Sequence, residues 1–370
     1  MRDRLSVVAS GASFAAAVAL LSAGLVAGQS QTPAGRPAPS PGARSTPYSP
    51  PRMPDGHPDL QGMYDLATLT PVERPAGAPG AMTPEQAARL EQQVASRRAR
   101  GSQPSRADRT APPLGGDGST GAAGGVGGYN GFWIDAGNKY VIIDGEVRTS
   151  IVVDPPDGRI PPTTAEARQR NAVRALPTSD AAESSGATGA GAYDNPEQRP
   201  LGERCIMGFG QTAGPPALPD YFYNNLHQIV QTPDAVMIQT EMIHDARVVR
   251  MNQPHLPPTI RKWMGDSVGR WDGDTLVIDT TNFSDKTRFR GSSEHLHVVE
   301  RISRLDDHTL LYRFTVEDPH TWTRPWTGEY TWPATDSLMY EYACHEGNYA
   351  LGDILRGARV LEKEAAGAKK

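Results

Sequence analysis

Apolar and polar residues alternate in a series of short segments through residues 225–349. QIVQT from Gln228, VMIQT from Val236, TLVID from Thr275, VVERI from Val298 and LLYRF from Leu310 are each about one strand long. Pro-Asp or Asp-Gly pairs separate several of them, and such pairs turn a chain between strands. The pattern predicts a mainly β fold: an antiparallel meander forming a barrel-like (calycin-like) or sandwich core, with a few peripheral short helices.

One predicted strand breaks the polarity rule. Period-two alternation over 296–302 puts Leu296, Val298, Glu300 and Ile302 on one face. A carboxylate on that apolar face needs a partner or a proton, and an ion pair with an arginine across the sheet explains Glu300 better than catalysis does. The next strand offers Tyr312, Phe314 and Val316 on one face and Arg313 on the other.

Helix signals are sparse. Thr83-Pro84-Glu85 supplies an N-cap and a proline at the first helical position, predicting a helix over about 84–100. Residues 163–176 read as a second helix and 348–357 as a short closing one. Asp144-Gly145 between apolar runs predicts a hairpin over 139–153, which is too small for a core of its own and is expected to join the main sheet.

The N-terminal residues carry Arg2 and Arg4, a short apolar run broken by Ser22 and Gly24, and small residues up to Gly28. These are the parts of a secretory signal peptide over 1–28 rather than of a retained anchor. No later apolar run approaches spanning length. The expected location is therefore periplasmic or secreted, with no integral membrane segment after cleavage. Residues 29–128 are rich in Pro, Gly and Ser and read as a largely disordered linker around the one helix. Residues 129–358 read as a single β-rich domain with a low-complexity insertion at about 178–198, and 359–370 as a flexible tail.

Composition changes this picture in two respects. The formal net charge is −5 and no basic run interleaves with aromatics, so nucleic acid is not an expected partner. The cysteines are Cys205 and Cys344 alone; export would expose them to an oxidising compartment, and a bridge is favoured over two buried thiols.

Two motifs concentrate chemistry. His244, Asp245 and Arg247 place an imidazole, a carboxylate and a guanidinium within four residues. They could move a proton at His244 while Arg247 holds an anion, or simply form a polar turn. His345 and Glu346 follow Cys344 and offer a second acid–base pair, or a bridged corner with a helix cap. Gly265-Asp-Ser267-Val-Gly269 matches a nucleophile elbow, but a strand rather than a helix follows it. His295 and His297 would share a strand face, yet no third ligand is spaced to complete a metal site, so neither metal nor cofactor is expected. Trp322, Trp326 and Trp332 lie among prolines, which predicts a loop or edge.

The chain resembles a widespread family of exported bacterial proteins with no established activity. The resemblance rests on PDGHPDLQG (54–62), RTSIVVDPPDG (148–158), EMIHDAR (241–247), GRWDGDTLV (269–277), FRGSSE (289–294) and YACHEGNY (342–349). It implies an exported single domain and supplies no catalytic residues. The leading expectation is an exported enzyme acting on a small polar organic molecule, a carbohydrate or aromatic metabolite, by lyase, isomerase or hydrolase chemistry. His244 and His345 would transfer protons, Asp245 and Glu346 would orient them, and Arg247 would hold an anion. The alternatives are a noncatalytic periplasmic ligand-binding protein and an envelope structural or interaction module.

Overall fold

The computed structural model describes residues 48–101, 135–174, 191–211, 213–219 and 223–367. The expected signal peptide, the Gly-rich stretch after residue 101 and most of the 178–198 insertion lie outside the described residues.

Alternation becomes a ten-stranded sheet curled into a half-barrel. Its strands are β1 (Gly62–Asp65), β5 (Val152–Asp154), β6 (Leu226–Gln231), β7 (Ala235–Thr240), β8 (Ala246–Met251), β9 (Asp266–Asp272), β10 (Thr275–Thr281), β11 (His297–Asp306), β12 (Thr309–Glu317) and β13 (Trp326–Pro333). The order across the sheet is β1-β6-β7-β8-β9-β10-β11-β12-β13-β5. Every pair is antiparallel except β8 with β9, which run parallel through Arg250↔Val268 and Met251↔Gly269. That pair departs from a pure meander and requires the crossover 252–265. The end strand β1 meets the chain just past β13, the penultimate strand on the other side, where Ala334 bridges Tyr64 and the Thr335 N–H donates to the Met63 carbonyl at 2.9 Å.

The concave face is packed solid with alternate residues from each strand. Ile229, Val236, Ile238, Val249, Leu276, Ile278, Val298, Ile302, Leu310, Tyr312, Phe314, Tyr330 and Trp332 form one buried cluster. Gly328 makes room in that wall: a Cβ there would lie 2.2 Å from the Phe314 ring, which is itself sealed between Tyr312 and Trp326. Gly328→Ala should therefore cost about 1–3 kcal/mol through overpacking. Adding Phe314→Leu should recover part of the loss, as read by urea midpoints.

The linker expectation fails over residues 48–83, while the helix expected at about 84–100 forms as Pro84–Gly101. Leu60, Tyr64 and Leu66 are buried, and after a turn at 54–57 the chain enters β1, which pairs with β6. The segment's Pro and Gly content hid a period-two stripe. The prolines near Trp326 likewise flank β13 instead of interrupting it, so two of the three tryptophans sit in a regular strand paired on both sides. The Asp144-Gly145 hairpin forms as β3 (Ile142–Ile143) and β4 (Glu146–Arg148), but pairs with β2 (Ala81–Met82) in a separate three-stranded sheet. Only β5, beyond the bend at Thr149 and Ser150, joins the main sheet.

Helix α1 (Pro84–Gly101) starts with a reciprocal capping box. Thr83 Oγ1 accepts from the Gln86 N–H at 3.2 Å, and Gln86 Oε1 accepts from the Thr83 N–H at 2.9 Å. Helix α2 (Ala165–Arg174) is capped by Thr164. Helix α3 (Tyr349–Gly367) continues well past residue 357. The segment expected as a tail is rich in Ala, Glu, Lys and Leu, which propagate helix well. Among the described residues no helix is long and apolar enough to cross a membrane.

Candidate functional site

The two motifs singled out in the sequence meet at one corner of the half-barrel. Between β7 and β8 the chain makes a tight turn in which Ile243 and His244 both adopt left-handed backbone, at φ 58 and 47. A β-branched residue there is strained by about 1–3 kcal/mol. The 340–348 segment packs on this turn. The Tyr340 N–H donates to Glu241 at 3.0 Å, and His244 Nδ1 lies 3.2 Å from the Tyr342 carbonyl. The Cys205–Cys344 disulfide and the Asn348 side chain, which donates to the Glu203 carbonyl at 2.7 Å, complete the corner.

The predicted residues do not share one recess. His244, His345 and Glu346 are exposed, and among the described residues neither His345 nor Glu346 makes a side-chain hydrogen bond or ion pair. Asp245 is half-buried and accepts from the Gly208 N–H at 3.3 Å. Arg247 points the other way, into the barrel, because Arg247, Val249 and Met251 alternate onto the concave face of β8.

Burial raises the Asp245 pKa to about 6 from 3.8, against a partial offset from the Gly208 N–H. The folded protein thus binds this proton more tightly than the unfolded chain does. Stability should rise as pH falls through about 6, and the gain should be complete below the unfolded value. Asp245→Asn keeps the acceptor and removes the charge. It should stabilise the protein at pH 7 by roughly 1–2 kcal/mol, discounted for partial exposure, with the difference shrinking below about pH 6 and gone by about pH 3 in paired urea titrations.

Arg247 meets Glu300 in the centre of the concave face. Both are buried, with Glu300 at 0 % exposure. Arg247 Nη2 donates to Glu300 Oε1 at 2.8 Å while Nη1 bonds the other oxygen, a bidentate pair. Burial alone would depress the guanidinium, but the Glu300 charge and hydrogen bonds outweigh it and hold the Arg247 pKa above its ordinary value. Tyr312 Oη donates to Glu300 Oε1 at 2.7 Å, and burial beside that carboxylate pushes the phenol well up. On the other side Arg247 reaches Ser267 at 3.4 Å, and Ser267 shares a 2.9 Å hydrogen bond with Thr280. Ser267 is thus a buried strand residue, not an exposed nucleophile.

His227, missed in the sequence, is the imidazole inside. Its Nδ1 lies 3.2 Å from the Asn225 carbonyl and its Nε2 3.0 Å from Thr240 Oγ1. Burial lowers its pKa to about 4, so it is neutral with both nitrogens engaged.

A second unanticipated feature is residues 213–219, all buried. Ala217 and Leu218 belong to the barrel's own apolar cluster. The Ala217 N–H donates to Tyr312 Oη at 2.9 Å, and Tyr330 Oη donates to the Ala217 carbonyl at 3.0 Å. Trp332 stacks on Tyr312 at 4.5 Å and keeps a buried indole N–H without an acceptor among the described residues. The signal for Arg247 and Glu300 was present in strand alternation. Nothing in the hydropathy of GPPALP (214–219) announces a segment that enters a barrel.

The convex face carries a separate histidine–carboxylate chain. His255 Nε2 lies 2.9 Å from Asp279 Oδ1, and His297 Nε2 lies 3.2 Å from Asp279 Oδ2. Asp266 faces the other ring nitrogen of His255 at 3.3 Å. The hydrogen bond from His297 holds the Asp279 carboxyl below its usual range, and Asp279 in turn raises His297. His295 turns elsewhere and stacks on His320 at 4.4 Å, so the two alternating histidines do not act on a common point. Among the described residues no group of three or more His, Cys, Asp or Glu side chains is arranged to hold a metal ion.

No protein-family model matches the chain, and neither curated proteins nor solved structures contain a detectable relative.

Proposed function

We propose that the protein is an exported ligand-binding barrel that takes a small organic molecule against the Arg247–Glu300–Tyr312 group when residues 213–219, which fill that space here, withdraw. The observation that carries this reading is Ala217, whose N–H and carbonyl are each taken up by a tyrosine hydroxyl inside an aromatic wall. A buried ion pair adds little to stability by itself, whereas fixed polar groups among aromatics are what orient a ligand. Export is supported by the Cys205–Cys344 disulfide.

Binding without turnover fits the interior better than acid–base chemistry. Tyr312, Glu300 and His227 are each committed to hydrogen bonds, and the exposed histidines lie outside. The acid–base reading retains one support, the raised Asp245 carboxyl beside His244. Purified full-length protein should show saturable binding from pooled metabolites, with no product by mass spectrometry. Turnover that vanishes in His244→Ala and His345→Ala would replace binding with catalysis as the function.

A further inference from the structure

We infer that the barrel interior is a peptide-recognition site and that residues 213–219 are its built-in occupant, an inference that rests on the ligand-binding reading above. The hydrogen-bond polarity of the site is fixed from below. Arg247 has five donors and no acceptor, and its bidentate contact holds Glu300 as an acceptor. Tyr312 must then give its hydroxyl proton to Glu300 at 2.7 Å. Only its lone pairs remain for the occupant, which has to donate. Tyr330 works in the opposite sense and donates, so the occupant has to accept.

An N–H donor and a carbonyl acceptor one carbon apart are the signature of an amino-acid residue within a chain. A carboxylate lacks the donor, and a simple ester lacks it too. The surroundings narrow the class further. Pro215, Pro216 and Pro219 bring no N–H into a dry interior, which limits the donors left to satisfy. Ala217 and Leu218, at 0 % and 2 % exposure, show that a small and then an aliphatic side chain fit. The segment bends over residues 214–216 before Ala217, so the aromatic side chains close on the small residue and the aliphatic one that follows it. The ligand class is therefore a short proline-containing peptide with a small residue followed by an aliphatic one.

The test uses two probes: acetyl-Pro-Pro-Ala-Leu-Pro-amide and its depsipeptide analogue, in which lactic acid replaces alanine so that an ester oxygen replaces the Ala N–H. Leu218→Asp in the full chain puts a charge in the buried position and should expel the native segment. Calorimetry should show the amide binding this variant at least ~10-fold more tightly than the unaltered chain, because the competing occupant is gone. The ester should bind about 5–10-fold more weakly than the amide, the worth of one buried hydrogen bond. Adding Tyr312→Phe should erase that amide–ester difference, which a merely structural tyrosine would not do.

Equal affinity for amide and ester, or no binding of the amide up to about 1 mM, overturns the inference. If non-peptide metabolites bind the same variant while the amide does not, the ligand-binding reading stands and the peptide class falls; if nothing binds, both fall. Should Leu218→Asp not fold, Ala217→Pro serves in its place. Should neither fold, hydrogen exchange on the unaltered chain decides: loss of protection at the Ala217 amide on adding the peptide supports the inference, and unchanged protection overturns it.

Discussion

Glu300→Ala should lower the unfolding free energy by about 3–5 kcal/mol, the usual cost of stranding one member of a buried ion pair. Glu300 receives both terminal nitrogens of Arg247 and the Tyr312 hydroxyl. Arg247 is 4 % exposed and its Nε already lacks an acceptor among the described residues, so the neutral Ser267 hydroxyl would be left facing the stranded charge. Arg247→Met combined with Glu300→Leu removes both charges and should recover most of the loss, since an apolar pair of similar volume avoids the desolvation cost altogether. Urea midpoints for the two single variants and the double variant give the coupling energy directly. A cost below about 1 kcal/mol for Glu300→Ala would mean that water reaches Arg247, and the interior would not be the dry site that fixes the polarity of Tyr312. The double variant has a second use. If it folds well and binds nothing, the ion pair serves recognition rather than the fold.

The ion pair also marks how far sequence reading reached. Alternation alone placed Glu300 inside, and the same rule applied to β8 places Arg247 beside Val249 and Met251. The pairing was legible in both strands, yet Arg247 was assigned with His244 because the residues are close in sequence. Three residues along a turn and strand are enough to send side chains to opposite faces. The barrel class was readable because its strands repeat a simple period. The arm carrying β1 was not, because Pro and Gly are frequent in its composition while its burial rests on a few spaced residues, among them Leu60, Tyr64, Leu66 and Val72. The parallel β8–β9 pair depends on a crossover whose path no local pattern encodes. Entry of residues 213–219 into the barrel depends on tyrosines about a hundred residues away, a relation fixed by tertiary packing rather than by local preference.

Removal of the disulfide by Cys205→Ala with Cys344→Ala should cost about 2–5 kcal/mol, the common range for a native bridge. The two cysteines are 139 residues apart, and a closed loop that long sets an entropic ceiling of about 5 kcal/mol. Where the loss appears matters more than its size. Cys205 sits just upstream of residues 213–219, and the bridge fastens that stretch to the corner formed by Glu241, His244 and Tyr342. If the bridge acted only on the unfolded chain, global stability would fall while native exchange rates kept their order. The corner geometry predicts a local effect as well: amide exchange at Ala217 should accelerate more than exchange in β11 and β12, which the bridge does not touch. Easier withdrawal of the segment would then raise the fraction of molecules open to ligand, and apparent affinity would tighten in proportion to that fraction. A disulfide-free variant that is less stable yet binds its ligand more tightly is therefore the expected pairing, because the same tether that stabilises the fold also holds its internal competitor in place. Equal exchange acceleration across all strands would assign the bridge to the unfolded state alone and leave residues 213–219 anchored by Tyr312 and Tyr330.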